Sequence, residues 1–261
     1  MPDQRLTVRP FAEADAEAVL DLHNRVFAKA RPRTRHHWHW KFRDNPLRAT
    51  EVILAMRRDG RCVAQYAGIP SACVLNGERC RQSVQSDVAI DPEHRRGLQR
   101  TGLIVRMAEL YLDRFGGRTN ALLDGFPEPP LLRVGVRLLK FEVLRDVSFL
   151  VREASIPLVG AARGVSARRV PRFGAAVDAL WERAKATITT ATIRDAAYLN
   201  WRYADHPDVE HLLLEVSDDR SGELLGIAVL REGGWDDSIV SILECLVPAR
   251  DRDDAERLLI R

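Results

Sequence analysis

A strand, a basic turn and a helix follow one another within residues 84–115, and this order limits the folds open to the chain more than any other feature. The strand-like run Gln82–Ile90 passes through the turn EHRRG (residues 93–97) into a helical pattern that ends at Phe115. The first turn of a helix presents unpaired N–H groups and a partial positive charge, so it is a binding site for anions. The two arginines add charge, and the glycine lets the backbone approach a bulky anion. The segment predicts a phosphate or diphosphate site; a solvated basic turn is the alternative interpretation.

Short strand patterns and helical patterns surround this segment. Three strand-like runs lie at Glu51–Met56, Arg61–Pro70 and Gln82–Ile90. The dipeptides Asp59-Gly60 and Asn76-Gly77 between them are typical of hairpin turns, which indicates an antiparallel meander. The whole order is β-α-α-β-β-β-α-β-α-β, with Phe141–Arg152 as a long last strand. This order predicts a mixed α+β fold with a mostly antiparallel sheet rather than a doubly wound one.

An internal repeat divides the chain. The heptapeptide WKFRDNP at residues 40–46 recurs as WRYADHP at residues 201–207, and a strand, a glycine turn and a second strand follow each copy. The shared element order favours a duplication. We therefore predict an active unit at residues 1–152, a connector with a helix at 153–190 and a partial, degenerate repeat at 191–261. The second copy begins its helix with acidic residues and has no glycine there, so we do not expect it to bind phosphate.

Composition excludes several function classes. Forty Lys and Arg against thirty-seven Asp and Glu leave a net charge of +3, which is too even for an electrostatic nucleic-acid footprint. No apolar run approaches the roughly 18 residues of a membrane span, and charges stand where a signal peptide needs an apolar core. The four cysteines form no C-x-x-C pair and no zinc-finger spacing. We expect a cytoplasmic protein that binds neither nucleic acid nor membrane, and no metal.

The stretch DVAIDPEHRRGLQRTGL resembles the acyl-CoA signature of the GNAT family of N-acyltransferases, in which a strand ending near a proline runs into Arg/Gln-x-x-Gly-x-Gly/Ala and a long helix. HWHWKFRDNP and DGFPEPPLLRVGVRLLKFEVL resemble, in order, family segments around the substrate helix and the last strands. The resemblance covers Arg5 to about Arg152. It implies the GNAT fold, acetyl-CoA as co-substrate and an amine acceptor. The turn is one residue shorter than the usual form, so either His94 or Arg95 takes its first position.

The resemblance also implies a site, residue by residue. Backbone N–H groups of Val88 and Ile90 would orient the pantetheine arm and stabilise the oxyanion. Those from Leu98 to Gly102 would hold the pyrophosphate. The full set implied for CoA is Val88, Ala89, Ile90, Arg95, Arg96, Gly97, Leu98, Gln99, Arg100, Thr101 and Gly102.

Two carboxylates are candidates for the base that accepts the amine proton, directly or through water. Asp87, on the strand just before the signature, is the first candidate, and Asp124, at the end of the next strand, is the second. A solvated or capping carboxylate is the alternative interpretation for each. Relatives often hold a tyrosine on the late helix that protonates the leaving thiolate. Leu131–Phe141 contains no tyrosine, so we expect slow catalysis or proton transfer through water.

The aromatic segment HHWHWKF (residues 36–42) is a candidate acceptor surface, because the equivalent family region closes over the acceptor. The side chains implied for the acceptor are Trp38, Trp40 and Phe126. His36 and His39 would share one face of a helix, as two metal ligands do, but no third ligand accompanies them. We favour aromatic packing there over a metal site.

Two other functions fit parts of the sequence. A non-catalytic acyl-CoA-binding or scaffold module would explain the absent tyrosine and the eroded signature. A tandem unit of the Fem peptidyl-transferase type acts on aminoacyl-tRNA and needs a basic extension, for which only the arginine cluster of residues 163–172 is available. The acceptor amine stays open among aminosugars, polyamines, antibiotics, peptides and proteins, and a homodimer is compatible with the second unit.

Overall fold

The computed structural model of the chain describes residues 6–27, 32–95, 102–151, 153, 164–233 and 236–248. The chain divides into two compact units. The first comprises Met1–Cys73 and Arg79–Val147, and the second comprises Val74–Glu78 and Ser148–Arg261. Within the described ranges, no helix has the length and apolarity needed to span a membrane.

The first unit contains strands and helices in the predicted order up to the late helix, except that the single strand predicted at Gln82–Ile90 is interrupted and forms the two strands β4 and β5. They are β1 (Thr7–Pro10), α1 (Ala16–Phe27), α2 (Arg35–Phe42), β2 (Glu51–Met56), β3 (Cys62–Leu75), β4 (Glu78–Gln85), β5 (Ala89–Ile90), α3 (Leu103–Phe115), β6 (Leu122–Gly125) and α4 (Pro129–Leu138). Thr34 begins α2, because its hydroxyl accepts a hydrogen bond from the His37 N–H at 3.1 Å. Gly102 begins α3, and its carbonyl accepts from the N–H groups of Val105 and Arg106.

The strands form one sheet in the order β1-β2-β3-β4-β6, with β5 also paired to β3. The pairs β1–β2, β2–β3 and β3–β5 are antiparallel, whereas β4 and β6 are parallel. Positive φ angles at Asn76 (53°) and Gly77 (83°) make the turn between β3 and β4 a type I′ hairpin turn. The prediction of a mixed α+β fold with a mostly antiparallel sheet is confirmed.

Helix α3 packs on one face of this sheet. Its residues Met107, Ala108 and Tyr111 are fully buried in one cluster with side chains of β2 and β3. Glu51 on β2 is also buried, and its carboxylate accepts a hydrogen bond from the Tyr111 hydroxyl at 3.0 Å. The side chains of Asn120 and Arg81 donate to the same carboxylate, each at 3.0 Å. These donors offset the cost of burying the carboxylate.

The predicted last strand, Phe141–Arg152, is wrong. Its apolar residues alternate, but residues 141–151 form no strand. Leu144 and Leu150 in this stretch expose 78% and 99% of their surface. An alternating pattern gives a strand only where a neighbouring strand supplies hydrogen bonds, and these residues pair with none of the described strands.

The second unit has its own sheet in the order β11-β10-β9-β7. Its elements are β7 (Val165–Val170), α5 (Ala176–Ala184), β8 (Thr190–Thr192), α6 (Ala196–Leu199), β9 (Leu212–Asp218), β10 (Leu224–Glu232) and β11 (Val240–Leu246). The range predicted as a connector with a helix contains α5 and also the strand β7, which the sequence did not predict. In the second heptapeptide, Trp201 and Tyr203 are buried, as Trp40 and Phe42 are in the first. That the second unit is a repeat of the first stays a prediction.

Candidate active site

The sheet of the first unit opens where β4 ends. The parallel ladder between β4 and β6 runs from Gln82 opposite Leu122 to Gln85 opposite Gly125. Beyond Gln85, the chain continues to pair with β3 through β5. The chain thus stays paired with β3 but separates from β6. This leaves a gap between β5 and the end of β6.

A β-bulge lies at the start of this gap. The Ser86 N–H donates to the Ala67 carbonyl at 3.0 Å, and Ala89 stands opposite Gln65. Three steps along one strand therefore match two steps along the other, which defines one extra residue. Asp87 takes up the difference with a φ of 52°, in the left-handed region that Asp tolerates better than most residues.

The bulge sets the direction of the backbone N–H groups beyond it. The Asp91 N–H donates to the Val63 carbonyl on β3 at 2.9 Å. Because direction alternates along a strand, Ala89 also faces β3, whereas the N–H groups of Val88 and Ile90 point away from it. The Ile90 carbonyl accepts a hydrogen bond from the Arg95 side chain at 2.9 Å, which is consistent with Ile90 facing away from β3.

The Asp87 carboxylate is held by two cations. Lys41 Nζ lies 2.7 Å from Asp87 Oδ2, and the Arg33 guanidinium donates to both carboxylate oxygens. All three side chains are at most 14% exposed. Burial would raise the pKa of Asp87, but the charges of Lys41 and Arg33 outweigh it and hold that pKa well below its usual range. Asp87 is thus an ionised carboxylate with little tendency to accept a proton.

A buried histidine and a glutamine complete this cluster. Arg33 Nη1 lies 2.9 Å from His23 Nδ1. Burial lowers the pKa of His23 to about 4, although the charge of Asp87 opposes this. The Gln65 amide donates to the Asp87 carbonyl at 3.1 Å and accepts from the Trp38 indole at 3.4 Å. The cluster therefore fixes both the side chain and the backbone of the bulge.

Asp124 has a different environment. It lies on β6 opposite Val84, one residue before the ladder ends. Its Oδ1 is buried and has no hydrogen-bond partner among the described residues. Burial raises the pKa of Asp124 above its usual value and outweighs the hydrogen bond from its own backbone N–H. A carboxylate in this state accepts a proton more readily than Asp87.

The segment that joins β5 to α3 is described up to Arg95 and again from Gly102. The Arg95 side chain is bound to the Ile90 carbonyl, and Gly102 is buried at the start of α3. The six residues between them, which the sequence predicts to contact CoA, lie outside the described ranges: Arg96, Gly97, Leu98, Gln99, Arg100 and Thr101.

The three aromatic residues predicted for the acceptor occupy different surroundings. Trp38 and Trp40 are 2% and 6% exposed, and Trp38 packs between Phe11 and Phe42. Phe126, directly after β6, is 79% exposed. Phe126 is therefore available to an acceptor, while the two tryptophans belong to the core.

Comparison with known proteins identifies this part of the chain. A family model described as an acetyltransferase (GNAT) domain matches residues 7–127. Residues 7–127 are a GNAT domain. No curated protein matches the sequence.

Several solved structures share the fold. A probable N-acyltransferase from Enterococcus faecalis superposes with a TM-score of 0.66 at 13% identity, over 98% of this chain and 62% of that one. A GCN5-related N-acetyltransferase from Anabaena variabilis gives 0.67 at 12% identity, again over 98% and 62%. An N-myristoyltransferase from Saccharomyces cerevisiae with bound myristoyl-CoA gives 0.53 at 14% identity, over 88% and 58%. The chain spans about three fifths of the length of these proteins, and the likeness establishes the fold.

A group of side chains of the kinds that bind metals lies at the start of the basic turn. Atoms of Asp91, Glu93 and His94 come within 4.8 Å of one another. Asp91 is already paired with Arg61 at 2.6 Å and lies 3.6 Å from Arg25. The charge of Asp91 is therefore already balanced by two guanidinium groups, and the cluster of Asp91, Glu93 and His94 gives no argument for a metal.

Sequence reasoning missed the partners of Asp87. His23 gave a signal, because it stands on the apolar side of α1 beside Val19 and Leu22, where a polar residue needs a buried partner. Arg33 and Lys41 gave none, since they lie 54 and 46 residues from Asp87 and look like ordinary surface cations.

Proposed function

We propose that the GNAT domain transfers an acetyl group from acetyl-CoA to a primary amine. The family supports acyl transfer in general. One observation supports the specific site most: Val88 and Ile90, whose N–H groups point away from β3, border the gap on one side, and β6 borders it on the other, with Asp124 and its buried Oδ1 one residue before the end of the ladder. A cytoplasmic setting is supported by the four cysteines, none of which forms a disulfide.

The residues around the gap fit a CoA thioester. Val88 and Ile90 would donate N–H groups to the pantetheine arm and to the thioester carbonyl, and the start of α3 near Gly102 would hold the pyrophosphate. Bound acetyl-CoA supplies an acyl group activated as a thioester. Donors fixed by a bulge need no reorganisation as negative charge develops on the carbonyl oxygen, which lowers the barrier.

Asp124 is the base that we propose. A general base works best when its pKa lies near the working pH, and Asp124 is shifted in that direction while Asp87 is shifted away from it. Asp87 then has a positioning role: its paired carboxylate and its φ of 52° hold the strand that carries the N–H donors. The order of the two candidates given by the sequence is thereby reversed.

Proton delivery to the leaving thiolate is proposed to run through water. Tyr66 and Tyr111 in the GNAT domain are fully buried, and burial raises the pKa of each phenol. The Tyr111 hydroxyl is also hydrogen-bonded to Glu51 and Ser83. Neither phenol is placed to exchange a proton with solvent.

The test is release of CoA thiol from acetyl-CoA with a panel of primary amines and longer acyl-CoA donors. We expect turnover with at least one amine and a loss of about 10²-fold or more in Asp124→Asn, the range typical of a general base. Asp113→Asn, an exposed residue on α3, is the matched control and should keep full activity.

The scaffold function gives the opposite result. Acetyl-CoA binding without turnover on every amine, with equal affinity in the parent protein and Asp124→Asn, would replace the enzyme by a non-catalytic acyl-CoA-binding module.

A further inference from the structure

Two cysteines face each other across the hairpin of β3 and β4. The Sγ atoms of Cys73 and Cys80 lie 3.0 Å apart. The two residues are placed symmetrically about the type I′ turn at Asn76-Gly77, three positions from it on either side. They are therefore cross-strand neighbours whose side chains share one face of the sheet.

The two thiols differ in accessibility. Cys73 is 1% exposed, whereas Cys80 is half-buried. Burial, with smaller contributions from the Cys80 hydrogen bond and the charge of Asp124, raises the pKa of Cys73 to about 12. A dissolved oxidant therefore meets Cys80 first.

The other two cysteines lack this arrangement. Cys62 is fully buried, and its thiol donates to the Ala64 carbonyl at 3.5 Å. Cys245 is exposed on β11 of the second unit. Among the four cysteines, all of which are described, the sulfur atoms of Cys73 and Cys80 are the pair in contact.

We propose that Cys73 and Cys80 are an oxidation site that forms a reversible disulfide with a low-molecular-weight disulfide such as glutathione disulfide as oxidant. The Cys80 thiolate attacks one sulfur of the oxidant and releases one thiol, leaving a mixed disulfide on Cys80. Cys73 then attacks the Cys80 Sγ while its proton passes to the departing thiolate, which leaves as the second thiol. Two cysteine thiols are oxidised, and the oxidant is reduced to two thiols.

The backbone is compatible with this bond. A disulfide needs Cα atoms about 4.4 to 6.8 Å apart, and directly opposed residues of antiparallel strands have Cα atoms about 4.5 to 5.5 Å apart. Closing the contact requires movement of the sulfur atoms by rotation about side-chain bonds. The oxidation proposal does not depend on the acyl-transfer proposal, so an experiment that refutes one does not refute the other.

The experiment treats the folded full chain with glutathione disulfide, blocks remaining thiols, and maps tryptic peptides without reduction. Trypsin cuts after Arg79, which separates Cys73 from Cys80. We expect glutathione on Cys80 at early times, then a cross-link between the peptides of residues 62–79 and 80–81 that dithiothreitol reverses. Cys62→Ser should keep the cross-link, which assigns it to Cys73.

Variants separate the two steps. Cys73→Ser should stop at the mixed disulfide on Cys80, and Cys80→Ser should leave Cys73 unmodified. If the parent protein shows glutathione on Cys245 but no cross-link between Cys73 and Cys80, the oxidation site is refuted. A Cys80 mixed disulfide that persists in the parent protein refutes it as well.

Discussion

Asp87 and Asp124 have the same side chain, but their surroundings shift the pKa of the carboxyl group in opposite directions. Asp87 is buried between Lys41 and Arg33, so its charged form is strongly favoured. Asp124 is partly buried, and its Oδ1 has no partner among the described residues, so its neutral form gains. Environment rather than residue type therefore assigns one carboxylate to structure and, in our proposal, the other to proton transfer.

The pH dependence of the reaction tests the role of Asp124. Only the ionised carboxylate accepts a proton, so kcat/KM should fall as pH falls through the Asp124 pKa, which lies above the usual value for aspartate. Asp124→Asn should lose this acid limb together with about 10²-fold in rate. An unchanged acid limb in the variant would assign it to another group; initial rates measured from acidic to mildly alkaline pH decide between the two.

Removing the charge of Asp87 should destabilise the protein. Asp87→Asn keeps a residue that tolerates a φ of 52° but leaves Lys41 and Arg33 buried without their carboxylate. We expect a loss of about 3 kcal/mol in the free energy of unfolding at pH 7. Because the pKa of Asp87 is lowered by folding, its contribution is present above about pH 4 and is lost as pH falls below it. A difference from the parent protein that does not shrink in acid would contradict this; urea unfolding at several pH values measures it.

His23 should give the protein a second acid sensitivity. Burial keeps it neutral down to about pH 4, so the unfolded chain binds more protons than the folded one between about pH 4 and 6.5. Stability should fall by roughly 3 kcal/mol as pH falls across this window. His23→Phe should reduce that slope, and exposed His36→Asn should not. Equal slopes in the two variants would contradict the assignment.

At the scale of elements, α3 is fixed to the sheet by a close backbone approach. Gly68 on β3 lies against the hydroxyls of Tyr111 and Ser83 and leaves no room for a Cβ atom. This approach lets the Tyr111 hydroxyl reach Glu51 while it accepts from Ser83 at 2.8 Å. The helix whose start is proposed to hold the pyrophosphate thus has a defined position on the strands.

A methyl group at Gly68 should disturb this attachment. Gly68→Ala is expected to cost about 2 kcal/mol through overpacking, and adding Tyr111→Phe should recover part of that cost because the nearest clashing atom is removed. Gly174→Ala meets no atom within 4 Å and is the control. Additive effects of Gly68→Ala and Tyr111→Phe in thermal unfolding would contradict the proposed clash.

Elements with local signals were predictable from the sequence. The Asn76-Gly77 turn and the helix of residues 103–115 depend on neighbours in the chain, and both are present. The conformation of residues 141–151 was not predictable in this way. A strand forms there only if another strand pairs with it, and none of the described strands does. The bulge at Asp87 could not be predicted either, since its partner Arg33 is 54 residues away.

At the scale of the whole molecule, the two units are expected to differ in function. Only the first carries the basic glycine turn of the GNAT signature. We therefore predict one acetyl-CoA per chain by calorimetric titration. Two equivalent sites per chain would contradict the expectation that the second unit does not bind phosphate.

The most direct test of the central claim is a crystal structure of the full chain with CoA. We predict the pantetheine arm in the gap between β5 and β6, within hydrogen-bond reach of the N–H groups of Val88 and Ile90, and the pyrophosphate at residues 95–102. Phosphate density elsewhere, or a pantetheine arm outside this gap, would contradict it.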